Sequence, residues 1–326
     1  MAGPEYTRGP RPDRRPEVVV VGAASRDVAR DDPRGWRLGG GVTYCALTLA
    51  RLGIRSAALV GVDGPAAEAS ELDLLREAGA AVRLVPLAHG PVFENVERPS
   101  GRVQTCLDPG SPLPVAALPA SWRQASWWLL APVAGELPPA WAAVPPATAH
   151  VVVGWQGLLR VLRAGRHVER LGPRPSPFLE RAGLVGVSRH DLDHHLALAT
   201  VLAPLAAGSE LLMTAGDAGG LLLEVGSAVA PEVGQGRRPA IGGRAVAVRR
   251  YPALRSPREV DPTGAGDTFL AALVAARIAA ATADVRCSPG QDLRLAAAAA
   301  SLVVEDVGLL GVPDPRALAC RLAKGS

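Results

Sequence analysis

Asp261-Pro262-Thr263-Gly264-Ala265-Gly266-Asp267 is the stretch of this chain whose residue types and spacing could do chemistry. Pro262 breaks regular structure, and beyond it an Ala/Leu-rich run of high helix propensity continues to about Ile278. The spacing predicts Gly264, Ala265 and Gly266 in the first turn of a helix. Backbone N–H groups there lack intrahelical acceptors and sit at the positive end of the helix dipole, so an anion is attracted to them. The two glycines let the backbone approach that anion closely. A carboxylate at Asp267, just behind such a hole, repels a resting phosphate. It makes sense as a base that takes the proton of a hydroxyl attacking that phosphate. The bland alternative is a glycine-rich helix entry whose Asp only caps or solvates the first turn.

The string resembles the second signature of the PfkB-type carbohydrate kinases, the ribokinase-like family. The resemblance implies that Asp267 is the catalytic base and that Gly264, Ala265 and Gly266 form its anion hole. Further stretches extend it. Val18–Val21 is a continuous apolar run ended by Gly22, which suits a strand buried on both faces of a parallel sheet. Asp27, five residues on, falls outside the carboxyl end of that strand, where ligands of open α/β sheets gather. By resemblance it accepts hydrogen bonds from substrate hydroxyls; a solvated loop Asp is the alternative. Gly39-Gly40-Gly41, followed by a helix ending in Ala50-Arg51-Leu52-Gly53, looks like the family's first signature, whose glycines lie against the acceptor. One departure is Tyr44, which stands where many members carry Asn and offers one hydroxyl in place of an amide's paired donor and acceptor.

The same resemblance extends to the donor. Thr214, Gly216 and Gly219 match a strand-turn-strand that lies beside ATP, and the 296–304 helix supplies small residues to flank an adenine. Ser188 and Asp191 stand where many relatives have an Asn-x-x-Glu that organises magnesium through water. Asp261 and Thr263 match positions that bind a monovalent cation in the ribokinase branch, so potassium activation is implied as an option.

These residues need elements to position them. Ser56–Val60, 127–130, 150–153, 184–187 and 211–213 read as further strands, with a helix expected over 66–78 in which Leu74, Leu75 and Ala78 face the core. Asp63 reads as a turn or cap residue. From Val82 to Leu107 the pattern changes to short extended pieces about a turn at Pro99-Ser100-Gly101, which is a hairpin signal. With 29–41, the 87–110 stretch is expected to form a small β lid that excludes water from a phosphoryl-transfer site. Phe93, Asn95 and Gln104 of the lid either meet substrate or pack the hairpin; Trp155 and Gln156 either border the cleft or pack. His190, His194 and His195 fit a polar face better than a metal cluster, lacking a convergent third ligand in sequence.

Composition sets bounds. At 326 residues with 48% hydrophobic and 20% charged content, the chain suits one large α/β domain with an appendage, or two domains. The net charge of +4 is modest, and four arginines lie in a Pro-rich stretch within residues 1–16 that is expected to be disordered. No aromatic-basic motif indicates nucleic acid. Lys324 is the only lysine, so positive charge at the site must come from arginine, helix ends or metal. Four cysteines without metal spacing read as free thiols of a reducing cytoplasm. No signal peptide or membrane segment is expected.

The expectation is therefore a three-layer α/β fold over 17–326, with a largely parallel sheet and a small β lid. Its expected activity is magnesium-dependent transfer of the ATP γ-phosphate to a sugar or polyol hydroxyl in the cytoplasm. A nucleoside kinase on the same fold and a non-catalytic sugar or nucleotide sensor are the alternatives. Family lids often pair, which makes a homodimer an option. A Rossmann-type oxidoreductase is disfavoured, because Gly22–Asp27 lacks Gly-x-Gly-x-x-Gly.

Overall fold

In a computed structural model of the chain, residues 15–98, 101–228, 240–283 and 290–324 are described. The valine run becomes β1 (Val18–Ala23), buried along its whole length. It lies between β4 (Ser56–Val62) and β8 (Trp127–Leu130), parallel to both. Beyond β4 comes β5 (Ala81–Pro86); beyond β8 come β9 (His150–Gly154), β13 (Leu184–Ser188) and β14 (Glu210–Thr214), all parallel. Three antiparallel strands finish that edge: β15 (Gly220–Ala228), β17 (Arg244–Tyr251) and β16 (Ala240–Ile241). The ten-stranded order is β16-β17-β15-β14-β13-β9-β8-β1-β4-β5. It is largely parallel, as expected.

Strand alternation sends Val18 and Val20 to one face and Val19 and Val21 to the other, each into its own apolar core. The first face is covered by α1 (Gly41–Arg51), α3 (Glu71–Glu77), α6 (Ala265–Thr282), α7 (Gln291–Val303) and α8 (Pro315–Lys324). The second carries α4 (Pro177–Arg181), α5 (Leu198–Leu202), 3₁₀ turns and the buried Trp128, Trp141 and Trp155. Helix α6 buries Phe269, Leu270, Leu273, Val274 and Ile278. At about 1.5–3 kcal/mol for each large apolar side chain, that burial holds its N-terminus against the sheet. By length and composition α6 is apolar enough to cross a membrane, but here it packs in the core against α1 and α7.

The lid is a separate five-stranded sheet, ordered β11-β7-β6-β2-β3. Its strands are β2 (Ser25–Val28), β3 (Trp36–Gly39), β6 (Pro91–Arg98), β7 (Gly101–Pro109) and β11 (Arg166–His167). It therefore begins before residue 29 and recruits a strand from beyond 110. Asp27 lies on a lid strand. The turn at 99–100 and most of the N-terminal tail lie outside the described residues, as does Cys287.

The helix expected over 66–78 is two helices, α2 (Gly64–Ala67) and α3. Asp63 caps the first, accepting from the Ala66 N–H at 3.0 Å, and pairs with Arg26. The restart in α3 changes the phase: Leu72 and Leu75 are fully buried, while Leu74 and Ala78 are only partly so.

Candidate active site

The glycine strip 39–41 joins the lid to α1, and its lack of side chains is what brings two carboxylates to one line. A Cβ on Gly39 would overlap Asp27 Oδ2, and one on Gly41 would stand 2.9 Å from Asp267 Oδ1. Between them Gly40 has φ of 96°, and a Cβ there would lie 2.5 Å from the Ala23 carbonyl. Thr43 ties the strip to α1, its hydroxyl donating to the Gly40 and Gly39 carbonyls at 2.7 and 3.1 Å. Ser25 Oγ donates to Asp27 Oδ1 at 3.2 Å. Asp27, Gly39–Gly41 and Asp267, far apart in sequence, thus form one wall.

At the start of α6, Gly264 is the N-cap in the left-handed region, φ 79°, and a Cβ there would overlap the Tyr44 ring. The Ala265 N–H donates to the Pro262 carbonyl at 3.3 Å and the Thr268 N–H to Gly264 at 2.8 Å. Among the described residues, the N–H groups of Gly266 and Asp267 have no acceptor. A Cβ on Gly266 would meet nothing within 4 Å, so this first turn faces open space. The Gly264 N–H likewise has no acceptor, so of the expected 264–266 set only Ala265 is engaged among the described residues, and Asp267 adds a further open donor. Burial pushes the Asp267 carboxyl up to about 7; Asp191 pushes the same way and Arg160 pulls back.

Tyr44 is placed differently from a residue reading the acceptor. It is 1% exposed, its ring lies on Gly264, and its hydroxyl points toward Gly308, 3.8 Å from where a Cβ there would stand. Burial, with Asp261 next, holds its phenol well above the usual range. Asp261 Oδ1 accepts from the Thr263 N–H and Oδ2 from the Gly308 N–H, each at 3.0 Å, so it pins the 304–308 loop beside the helix start.

Asp191 follows β13 and accepts on Oδ1 from Gln156 Nε2 at 3.1 Å and Arg160 Nη2 at 3.5 Å. Trp155, next to Gln156, is a core residue at 1% exposure. Two charged residues here escaped the sequence reading. Arg160, in the two-residue strand β10 (Arg160–Val161), has only 10% of its side chain exposed and sits 5.9 Å from the Phe93 ring centroid. Glu136 is 3% exposed and accepts from the N–H groups of Ala23, Val133 and Ala134, fastening the end of β1 to the loop after β8. Neither belongs to a recognisable motif; only their isolation in apolar surroundings marks them.

On the lid, Phe93 packs with Cys106 and Val133, and Gln104 Nε2 donates to Asn95 Oδ1 at 2.9 Å. Among the described residues, no group of three His, Cys, Asp or Glu side chains is arranged to hold a metal. Thr214 ends β14, and the Ala215 N–H donates to the Gly219 carbonyl at 2.8 Å across a turn with Gly216 and Gly219 at positive φ. Beside this turn lies a cavity of about 320 Å³ lined by Arg189, Met213, Ala215, Gly220, Arg250 and Tyr251, among others. The expectation that α7 offers alanines to an adenine meets an obstacle: Ala296, Ala297, Ala298 and Ala299 are 0–5% exposed. They are spent on close packing within the helical core.

Residues 185–315 match the pfkB family carbohydrate kinase domain. The fold is ribokinase-like, and the PfkB match covers its C-terminal part. A pyrophosphate-dependent kinase of the ribokinase family, solved with a pyrophosphate analog and myo-inositol, is 18% identical, with a TM-score of 0.64 over 88% of this chain and 94% of that one. Arabidopsis thaliana ribokinase, solved with ribose and ATP, is 18% identical, with a TM-score of 0.61 over 95% and 99%. Giardia lamblia ribokinase is 15% identical, with a TM-score of 0.67 over 96% and 100%. No curated protein sequence matches the chain. The PfkB match supports phosphotransfer to an alcohol hydroxyl as the reaction class.

Proposed function

We propose that the chain transfers the terminal phosphoryl group of ATP, bound with magnesium, to a hydroxyl of a sugar or sugar-like polyol. The observation that carries this reading is the single wall of Asp27, the glycine strip and Asp267, with Asp267 also beside the unpaired N–H groups of α6. Asp27 and the bare backbone of Gly39–Gly41 hold the acceptor's hydroxyls. Asp267 takes the proton from the attacking hydroxyl, and the Gly266 and Asp267 N–H groups, with Ala265 and the Gly264 cap, meet the charge on the phosphoryl oxygens. The lid's Asn95 and the Tyr44 phenol are the remaining acceptor-side candidates; their present contacts make both supporting residues.

Thr214, Gly216 and Gly219 border the donor, next to the cavity flanked by Arg189 and Arg250. The like-charged Asp191 and Asp267 suit a divalent cation arriving with the donor's phosphates, Asp191 holding it through water. That ion supplies charge neutralisation on the phosphates. Asp261 and Thr263 are the proposed position for a monovalent cation, which a potassium titration tests. Val96 and Leu107, exposed on the lid, support pairing of two lids.

A second donor reading rests on the buried α7 alanines. With Ala296–Ala299 packed into the core rather than offered to a base, a donor without one, inorganic pyrophosphate, suits the site, and a pyrophosphate-dependent kinase is among the similar structures. Because Tyr44 is turned away, the acceptor is proposed to be a cyclitol or modified sugar rather than ribose. The test is a panel of sugars, inositols, other polyols and nucleosides, each with ATP or pyrophosphate and magnesium, analysed for phosphoester product. Product from a sugar or polyol supports the reading, and nucleosides as the only acceptors would replace it with a nucleoside kinase. Ligand binding without product from any pair would leave the sensor reading.

A further inference from the structure

The chain has one lysine, Lys324, exposed at the end of α8, so a permanently charged side-chain cation in the cleft must be an arginine. Arg160 reaches the cleft from the sheet face opposite α6: Leu158 and Leu159, just before it, pack in the second core, whereas α6 packs in the first. Its guanidinium lies against the lid through Phe93 and against the turn after β13 through Asp191. Asp27 and Asp267 both lie within its electrostatic reach.

Burying a guanidinium costs several kcal/mol unless good hydrogen bonds compensate. Among the described residues, the side-chain hydrogen bonding of Arg160 amounts to one long contact, 3.5 Å to Asp191 Oδ1, an atom it shares with Gln156. A guanidinium carries five N–H donors in a planar fork matched to phosphate. Most of that capacity is therefore unspent at the point where acceptor and lid meet.

We propose that Arg160 is a catalytic residue of the phosphoryl transfer proposed above, its guanidinium binding the oxygens of the phosphoryl group from the side opposite the α6 N-terminus. The acceptor oxygen forms the new O–P bond and its proton passes to Asp267. The donor's anhydride P–O bond breaks, its electron pair leaving on the donor oxygen. The three equatorial phosphoryl oxygens keep their charge throughout, and Arg160 and the α6 N–H groups share it. The pairing with Asp191 keeps the arginine in place between turnovers and is exchanged for the phosphoryl oxygens when the donor binds. This rests on the kinase reading, but donor binding tests it without an acceptor.

The experiment titrates the full chain and its R160Q, R160K and D191N variants with ATP and with inorganic pyrophosphate, each with and without magnesium, by calorimetry. Turnover on the acceptor panel follows. R160Q is expected to bind the donor about 10–100-fold more weakly and to lose at least about 10²-fold in turnover, below the 10³–10⁵ assigned to arginine fingers. R160K, which keeps the charge but not the fork, should fall between. D191N frees the guanidinium and removes a negative charge, so without magnesium, where the ion-holding role proposed for Asp191 plays no part, it should tighten donor binding several-fold; a merely structural pair would weaken binding in both variants. Should R160Q fail to fold, R160K and D191N still give the opposite signs required. The proposal is overturned if R160Q binds and turns over within threefold of wild type, if D191N weakens donor binding in the absence of magnesium, or if wild type binds neither donor. Donor binding without phosphorylation of any acceptor would instead sink the acceptor reading, leaving Arg160 to be judged on the binding ratios.

Discussion

The raised carboxyl of Asp267 sets stability against activity, and Asp267→Asn separates the two. Its pKa is about 7 in the folded chain against an ordinary 3.8. The folded state therefore binds this proton more tightly than the unfolded state. The resulting stability is fully present below about pH 3.8 and is lost as pH rises through about 7. At about 1.36 kcal/mol per pH unit, the whole effect is at most about 4 kcal/mol, less whatever solvent reaching the carboxylate screens. Between pH 5.5 and 8.5 about 2 kcal/mol of it should disappear from wild type and not from the Asn variant. With an unfolding entropy of about 2.1 cal/mol/K per residue, this widens the Tm gap in favour of Asp267→Asn by about 3 °C. The assay is thermal unfolding of both proteins at the two pH values without ligands. Wild-type kcat/KM should move the other way, rising about tenfold from pH 6 to 8 as the base ionises. A constant Tm gap together with a flat rate profile would refute the reasoning.

Three further outcomes follow from the same wall and helix start. Gly41→Ala places a methyl 2.9 Å from Asp267 Oδ1 and should cut turnover by about 10²-fold, the effect of a misplacement near 1 Å, while calorimetry shows donor binding retained. Asp27→Ala removes charge-assisted contacts to acceptor hydroxyls worth about 1.5–3 kcal/mol; acceptor KM should rise steeply and donor KM should not. Gly264→Ala meets both a positive φ and the Tyr44 ring, and should cost at least about 1–3 kcal/mol in denaturant unfolding. Part of that loss should return in a Tyr44→Ala background, where only the backbone strain remains.

Much of the architecture was legible because its signals are local. Four consecutive valines ended by a glycine, Val18–Gly22, suit a strand covered on both faces, and the string 261–267 carries its own helix start. What the sequence left open depends on direction and on the partner. Tyr44 follows the glycine strip by three residues, yet nothing in its neighbours says that the ring turns onto Gly264. Alanines at 296–299 suit an open cleft and close helix packing equally well, and the structure takes the second. The helix expected over 66–78 breaks because Asp63 starts one short helix and the chain restarts at Glu71, changing which leucines face inward. Arg160 and Glu136 were invisible because a charged residue in an apolar stretch declares a role only once its burial is known. The lid was seen as a hairpin, but its fifth strand, Arg166–His167, pairs with residues about 60 positions earlier and had no local signal.

The most direct test of the central claim is transfer of labelled phosphate from donor to acceptor by wild type and by Asp267→Asn at pH 8, with donor binding confirmed for both. The expected result is labelled phosphoester from wild type on at least one sugar or polyol, and about 10²–10⁴-fold less from the variant at unchanged donor affinity. No labelled product from wild type with either donor, or turnover by Asp267→Asn within a few-fold of wild type, would contradict it.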